Sequence, residues 1–455
     1  MGSQSSKATL METRLRVTID RVRETRKEYA AKRYFLFDAV VPRDRLLTMM
    51  RVIEHICTTY QFPITNTFHA GDGNIHPALF FSNGDADIEN RLSGAWLDLL
   101  NTCAEVGGAL TGEHGVGVEK RTMMQKFFDH DALQLMHSLR EELGNEICNP
   151  HKIVPPTDVL KQTPPRRPGP GFHEKRILLD FPAAHMEVGC DVTLAEVIDV
   201  LASSPYQLPY YPIGADSDET VCNLIVRGCP SFKELRFGCP RDLLVGGLLT
   251  VLSGKQVRLG GIINKDVGGY ELRKLIFNSR GKIGNLQRLI LKLAPTPRAV
   301  TRISVDHASV KSTLIWMREL FFSTWGLSAL FLRSAYTGVA LEVIIEGSSE
   351  TVSDGQKIVS DVVGTNAHMV VDQSAKLPDH PLRKTAEFRA SSGQPWTRSD
   401  YIEGLVQRQI PFLAFAGSRF LLEPVNGASG VDRSSGADHQ TDTLEGKVIR
   451  AFELL

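Results

Sequence analysis

The sequence has no excess of either charge sign: 52 Lys and Arg balance 52 Asp and Glu, so the formal net charge is zero. This balance argues against a protein that works by a broad electrostatic hold on nucleic acid or an anionic membrane surface. No apolar run reaches the roughly 20 residues needed to span a bilayer. The N-terminus lacks the basic-then-apolar layout of a secretory signal. MGSQSS fits the loose myristoylation pattern, but a six-residue polar match is chance more often than signal. The seven cysteines include no CxxC pair. An odd, scattered set argues against a disulfide framework and for reduced thiols in a cytoplasmic protein. Cys222, Cys229 and Cys239 lie close in sequence, yet their spacing fits no zinc module, and they read as small buried apolar thiols.

What is present is enough apolar residue for two or three cores: 455 residues, 42% hydrophobic. Residues 6–33 carry Arg, Lys and Glu with Leu10, Leu15, Val17, Ile19 and Val22 at helical spacing, which predicts an amphipathic helix. FLFDAVVP at 35–42 predicts a strand, and 44–60 a helix with Leu46, Leu47, Met50, Ile53 and Ile56 on one side. The period then changes over 63–81, and helices follow at 86–106 and 118–143. KQTPPRRPGPGFHEK at 161–175 is breaker-dense and marks the clearest boundary. Residues 176–300 alternate short strands with Gly-rich turns, with one helix at 194–203. Residues 301–372 read β-α-β-β-α-β, a ferredoxin-like order. From about 426 the chain turns to Gly, Ser and Asp, the composition of a disordered tail. No internal repeat is evident.

The densest chemistry lies between His69 and His114. Two apolar runs flank Asp72-Gly73, a hairpin signal. With those two residues as the turn, His69 stands directly opposite His76, their Cβ atoms about 4.5–5.5 Å apart on one face. Two imidazoles so placed can chelate a divalent ion, and zinc suits them. TGEHGVG at 111–117 places Glu113 and His114 between glycines, and neighbouring side chains in an extended turn diverge, so one of the two can ligate a metal while the other faces substrate. The residues alone leave a plainer reading open, in which the histidines are merely paired and Glu113 caps the helix near 118.

FHAGDGNIHP (68–77), GGALTGEHGVGVEKR (107–121) and NPHKIVP (149–155) resemble the C-terminal half of the FAD-linked oxidases. That family includes the large subunit of bacterial glycolate oxidase, D-lactate dehydrogenases and D-2-hydroxyglutarate dehydrogenases. The resemblance covers roughly residues 30–155. It implies that His69, His76 and Glu113 hold a divalent metal such as zinc, that His114 is the acid–base residue and that Asn74 touches substrate. The family also uses an arginine for the substrate carboxylate. Arg33 and Arg43 flank the strand ending at Pro42, although a solvated surface role is the commoner fate of each.

Residues 240–298 resemble the FAD-binding domain of the smaller flavin-type subunit of bacterial glycolate oxidase. Arg241, Asp242, Gly260, Gly261, Lys265, Gly269, Tyr270, Gly281 and Gly284 carry this resemblance and would contact FAD. The chain departs from the family at Asp266, where an Asn is usual, and at 220–223, where the family has a Gly-Gly segment. The phosphate loop expected before residue 190 is replaced by PPRRPGPGF, whose prolines remove N–H donors. Arg166 and Arg167 could supply charge there.

These readings imply an α+β chain with a partial PCMH/VAO-type FAD-binding domain and ferredoxin-like cap domains. Residues 1–155 would be the metal and acid–base half of an FAD-linked oxidase, 156–175 a linker, 176–300 the partial flavin domain, 301–425 a cap and 426–455 a tail. The chain then looks like a fusion of two oxidase subunits. The implied activity is oxidation of a small 2-hydroxy acid with hydride transfer to FAD. The alternative is a non-catalytic assembly subunit of a glycolate oxidase-like complex. A metal hydrolase using His69, His76, Glu113 and a water is the least favoured reading. Implied partners are other oxidase subunits, including an iron–sulfur electron acceptor, and the implied location is cytoplasmic or at the inner membrane through such a partner.

Overall fold

A computed structural model of the chain describes residues 33–82, 86–144, 176–213, 215–335, 338–364 and 368–372. It also describes 388–392, 395, 399–407, 413–416, 420–424, and positions 20, 23–25, 27, 154–155 and 157. The expected helix over 6–33, the linker over 156–175 with Arg166 and Arg167, and the tail over 426–455 fall outside these residues, a few single positions apart. Secondary structure is mixed, with helices and mainly antiparallel sheets, as an α+β chain requires.

The first sheet is built around β4 (Asn74–Phe81). On one side of it lie β1 (Arg33–Leu36) and β2 (Ala39–Val40), and on the other β3 (Ile64–His69). The single strand expected over 35–42 is thus two short strands, interrupted at Phe37-Asp38. Ile75 and Leu79 of β4 join a core with Met49, Ile53, Ala95 and Leu99 from the helices Leu46–Thr59 and Ile88–Glu105. Alternation along a strand sends Asn74 and His76 to the opposite face. This is how the apolar pattern of β4 positions its polar residues.

The β3–β4 register differs from the expected one. Asp72 and Gly73 are not a two-residue turn: His69 pairs with Asn74, and His76 with Thr67. Residues 70–73 form a four-residue connection, closed by the amides of Asp72 and Gly73 donating to the His69 carbonyl at 3.3 and 3.0 Å. His69 and His76 are therefore diagonal neighbours rather than opposite partners. They still share a face, because the register moved by two residues and the side-chain period is two.

The expected helix over 118–143 is broken into a 3-10 turn (Arg121–Met123), one short turn (Met124–Phe127) and the helix His130–Leu143. The break comes at Phe128 and Asp129, both of extended backbone.

A second sheet has the order β5-β6-β10-β8-β9, from Ile177–Asp180, His185–Gly189, Asn285–Lys292, Leu244–Thr250 and Gln256–Gly260, and a two-stranded ladder pairs β7 (Tyr206–Gln207) with β11 (Ala294–Pro295). Residues 176–300 hold more helix than the single segment expected. Besides Leu194–Leu201, closed by a Thr193/Glu196 capping box, there are short helices at Val221–Arg227, Glu234–Phe237 and Pro240–Leu243. One core runs through both halves of the chain: Met123, Met124, Leu133 and Met136 pack with Val188, Val197, Leu259 and Leu289.

Reduced thiols were expected throughout, but Cys190 and Cys222 form a disulfide. An isolated bridge between Thr193 and Thr220 brings the turn after β6 beside the helix Val221–Arg227, a proximity that spacing in sequence does not encode. Cys57, Cys103 and Cys229 are buried free thiols, and Cys239 is half-buried and free.

The third sheet contains β12 (Ala299–His307), β13 (Leu327–Ser334), β14 (Val339–Gly347) and β15 (His368–Asp372) in the antiparallel order β15-β12-β14-β13. With the helices Val310–Ser323 and Ser349–Val363 packed against Val305, Leu341 and Val343, this is the expected ferredoxin-like arrangement. Three further strands, Leu413–Phe415, Phe420–Pro424 and Phe388–Ser392, extend it beyond β13.

Candidate metal and acid–base site

The β3–β4 hairpin presents His69 and His76 on one face, with ring centroids 5.5 Å apart and nearly perpendicular. Glu113 arrives from the turn at 111–114, which is tied to the sheet by paired backbone bonds between Val40 and Ala109 of 3.2 and 2.7 Å. Its carboxylate oxygens lie 3.7 Å from His69 Nε2 and 3.8 Å from His76 Nε2. One donor atom from each of the three residues falls within 4.8 Å of the others. His76 Nδ1 is 3.2 Å from the Phe37 carbonyl. With Nδ1–H donating to that carbonyl, the lone pair on Nε2 faces Glu113, as a metal-ligating imidazole requires. The donor set therefore fits a divalent ion. Burial holds His76 below the usual imidazole range, which keeps it neutral and able to ligate.

His114 follows Glu113 and stacks on His76, with centroids 5.5 Å apart. Asn74 is fully buried beside them, and neither atom of its amide has a hydrogen-bond partner among the described residues. Gly112 permits this approach: a Cβ there would stand 2.7 Å from both polar atoms of the Asn74 amide.

Two residues at the site gave no signal that the sequence reading used. Asp38 is the lone acid within FLFDAVVP and is buried. Its Oδ2 accepts from Thr111 Oγ1 at 2.5 Å and from the amides of Gly112, Glu113 and His114 at 3.0, 3.0 and 2.8 Å. Burial pushes its pKa up, but the Thr111 hydroxyl and the Glu113 and His114 amides outweigh this and bring it to about 2. The second, Lys120, donates to the Asp38 carbonyl at 3.3 Å and lies 4.0 Å from its carboxylate. An isolated acid in an apolar run was the signal available for Asp38.

The residues assigned to FAD divide into groups. Lys265 joins the His69–His76–Glu113 cluster: its ammonium pairs with Glu113 and lies 3.4 Å from Asp72. The hydrogen bond from Lys265 holds the Glu113 carboxyl below the usual range. The Val267 amide donates to the Thr111 carbonyl at 3.2 Å, so the loop after β9 is docked on the 111–114 turn. Gly269 packs against Met124 and Met136, where a Cβ would meet their side chains at 2.9–3.1 Å. The Tyr270 hydroxyl is buried without a partner among the described residues. Gly260 and Gly284 abut the carbonyls of Val245 and Thr250. Gly261 and Gly281 alone of these glycines face open space, as a cofactor lying on bare backbone would need. Arg241 is exposed and Asp242 half-buried, and they lie 3.9 Å apart. Of the candidate carboxylate-binding arginines, Arg33 sits over the Phe81 ring, at the far end of β4 from His76, and Arg43 opens the 3-10 turn Arg43–Arg45. A cavity of about 360 Å³ between the helix Leu194–Leu201 and the segment Tyr206–Pro212 contains none of these residues. Among the described residues, no helix is long and apolar enough to cross a membrane.

Comparison with known proteins agrees with the motif resemblance. Residues 4–153 match the family described as FAD linked oxidases, C-terminal domain. Glycolate oxidase subunit GlcD of Escherichia coli K12 is 32% identical over 123 residues, covering 27% of this chain and 25% of that protein. The mitochondrial D-lactate dehydrogenase [cytochrome] of Arabidopsis thaliana is 29% identical over 120 residues, covering 26% and 21%. Glycolate oxidase subunit GlcE of Escherichia coli K12 is 26% identical over 167 residues, covering 36% of this chain and 46% of that protein. The chain thus spans about a quarter of the length of the GlcD relative.

Proposed function

We propose that the chain is an FAD-linked oxidoreductase acting on the CH–OH group of a small 2-hydroxy acid of the glycolate or D-lactate type. The carrying observation is the convergence of His69, His76 and Glu113 within one ligand sphere, with His114 stacked beside them, inside the segment that matches the FAD-linked oxidases. His69 Nε2, His76 Nε2 and Glu113 would hold the divalent ion. When bound, such an ion lowers the pKa of the substrate hydroxyl and polarises the carboxylate end. His114 accepts the hydroxyl proton as general base. The unpaired Asn74 amide orients the substrate by hydrogen bonding, which its burial without a partner favours. Gly261 and Gly281, which face open space, would lie against the flavin, and when bound the flavin would supply the hydride acceptor for the substrate carbon.

Likeness to two different glycolate oxidase subunits supports the reading that this chain joins parts of both. On that reading it would work with further oxidase subunits, among them an iron–sulfur acceptor, in the cytoplasm or at the inner membrane.

The test is purification of the full chain in the presence of FAD and zinc. Retained flavin absorption, stoichiometric zinc and dye-linked oxidation of glycolate or D-lactate, lost in His114→Asn with both groups retained, are expected. A chain that keeps no flavin after FAD is supplied overturns the reading. One observation favours a second reading as an assembly subunit: the Gly269 side of the loop is filled by Met124 and Met136 and offers no room for a cofactor. That reading expects a colourless chain that gains activity only with a partner subunit.

A further inference from the structure

We infer that Asp38 is the positioning residue of this site, setting Glu113 and His114 through their backbone and coupling that turn to His76. The inference rests on the reading of His69, His76 and Glu113 as metal ligands and His114 as base.

Three consecutive amides, those of Gly112, Glu113 and His114, point at a single oxygen of Asp38. None of the three donates to a backbone acceptor among the described residues. Successive N–H groups curled around one centre form an anion-binding nest, and here the anion is part of the chain. The Thr111 hydroxyl supplies a fourth donor to the same oxygen. A carboxylate this buried is costly unless its acceptors are used, and Oδ2 is saturated. The other oxygen, Oδ1, has no hydrogen-bond partner among the described residues and lies 3.9 Å from His76 Nδ1. One side chain therefore touches both the turn that carries Glu113 and His114 and the back of the imidazole whose front faces Glu113. Carboxylates behind ligating histidines fix ring orientation and raise ligand basicity. Asp38 adds to this a hold on the third ligand and on the base. It sits in the break between β1 and β2, with Phe37 and Ala39 on either side in the core under β4, so its position is fixed by the sheet itself.

The experiment uses the full chain carrying Asp38→Asn. The neutral amide either turns its N–H₂ against the four donors or keeps its oxygen there and turns the N–H₂ toward His76, so the nest loses either its acceptor or the full charge that strengthens those bonds. Hydrogen exchange of the metal-free protein reads the turn directly: the 112–114 amides should exchange at least about tenfold faster, while those of β3, β4 and residues 130–143 keep their rates. Zinc affinity, by competition with a chelating dye, should fall by about 10–100-fold. In turnover, kcat should fall with KM little changed. Thr111→Val removes the hydroxyl donor alone and should shift exchange in the same direction by less; it decides the matter if Asp38→Asn fails to fold. Unchanged exchange at 112–114 in the folded variant overturns the inference. Accelerated exchange in a protein whose wild type binds no zinc keeps the positioning role and overturns the metal reading instead.

Discussion

Lys265 reaches across 152 residues of sequence to pair with Glu113, so a cation from the second half of the chain rests on the carboxylate that completes the histidine pair. Glu113 cannot give the same oxygen fully to both an ammonium and a metal. Loading a divalent ion at His69, His76 and Glu113 must therefore weaken the Lys265 contact. Lys265→Met should tighten zinc binding by about 2–5-fold, the range open to a partly exposed ion pair. Glu113→Gln should weaken it in both backgrounds. Isothermal titration of the two single variants and the double variant checks this, and weaker zinc binding by Lys265→Met would show instead that the lysine helps to build the site.

Gly112→Ala tests how tightly the turn is fitted to β4. An added Cβ would stand 2.7 Å from the Asn74 amide atoms and from Val40 Cγ2, with backbone on both sides fixed by Asp38 and the Val40–Ala109 bridge. Overpacking of this kind costs about 1–3 kcal/mol, and its displacement falls on Asn74. The expected result is a lower urea midpoint with unchanged slope, and a loss of turnover larger than the loss of stability explains. Full activity with a small stability change would show that Asn74 does not contact substrate.

The sequence made the ferredoxin-like sheet legible because β12, β13 and β14 are long apolar strands, with one clear helical segment between β12 and β13 and another after β14. The convergence of His69, His76 and Glu113 was legible as a motif, yet its geometry was not. A four-residue connection replaced the two-residue turn, and only the two-residue period of side chains kept both histidines on one face. No local pattern records the partners of Asp38, because Thr111 to His114 lie more than 70 residues away. The glycines beside Lys265 suggest a cofactor residue, whereas docking of the 265–270 loop on the 111–114 turn sends its ammonium to Glu113. The Cys190–Cys222 disulfide was missed for the same reason: proximity there is a product of the Thr193–Thr220 bridge.

Asp266 gives a pH-dependent prediction apart from the ligand cluster. Burial raises its pKa from the usual 3.8 to about 6, and one Oδ1 bond from the Gly268 amide offsets this only in part. A carboxyl whose pKa is raised by folding contributes stability below pH 4. That contribution falls as pH rises from about 4 to about 6 and is absent above it. Asp266→Asn keeps the acceptor for Gly268 and removes the charge. It should stabilise the protein by about 2–3 kcal/mol at pH 8, taking roughly 1.36 kcal/mol per pKa unit. The gain should shrink toward zero by pH 4, as read by urea unfolding at the two ends of the range. A gain independent of pH would assign the effect to packing.

The ferredoxin-like sheet is fastened to the rest of the chain by a buried ion pair, and this fixes what its removal should do. Lys233 Nζ lies 2.6 Å from Glu346 on β14, with both side chains almost wholly buried. The same ammonium bonds Gln207 Oε1 at 3.1 Å and stands 4.2 Å from the Tyr211 ring. Burial pulls the Lys233 pKa down, and Glu346 pulls it back toward the charged form. Lys233→Met strands a carboxylate in the interior and should cost about 3–5 kcal/mol. Replacing both residues, Lys233→Met with Glu346→Leu, removes the stranded charge and should cost clearly less than the first substitution alone, a non-additivity expected only of direct partners. Urea unfolding of the three variants measures it. If the double variant is as unstable as the sum of the singles, the pair is not what holds Phe232 and Lys233 against the sheet, and the Phe232–Phe331–Phe415 aromatic cluster carries that contact alone.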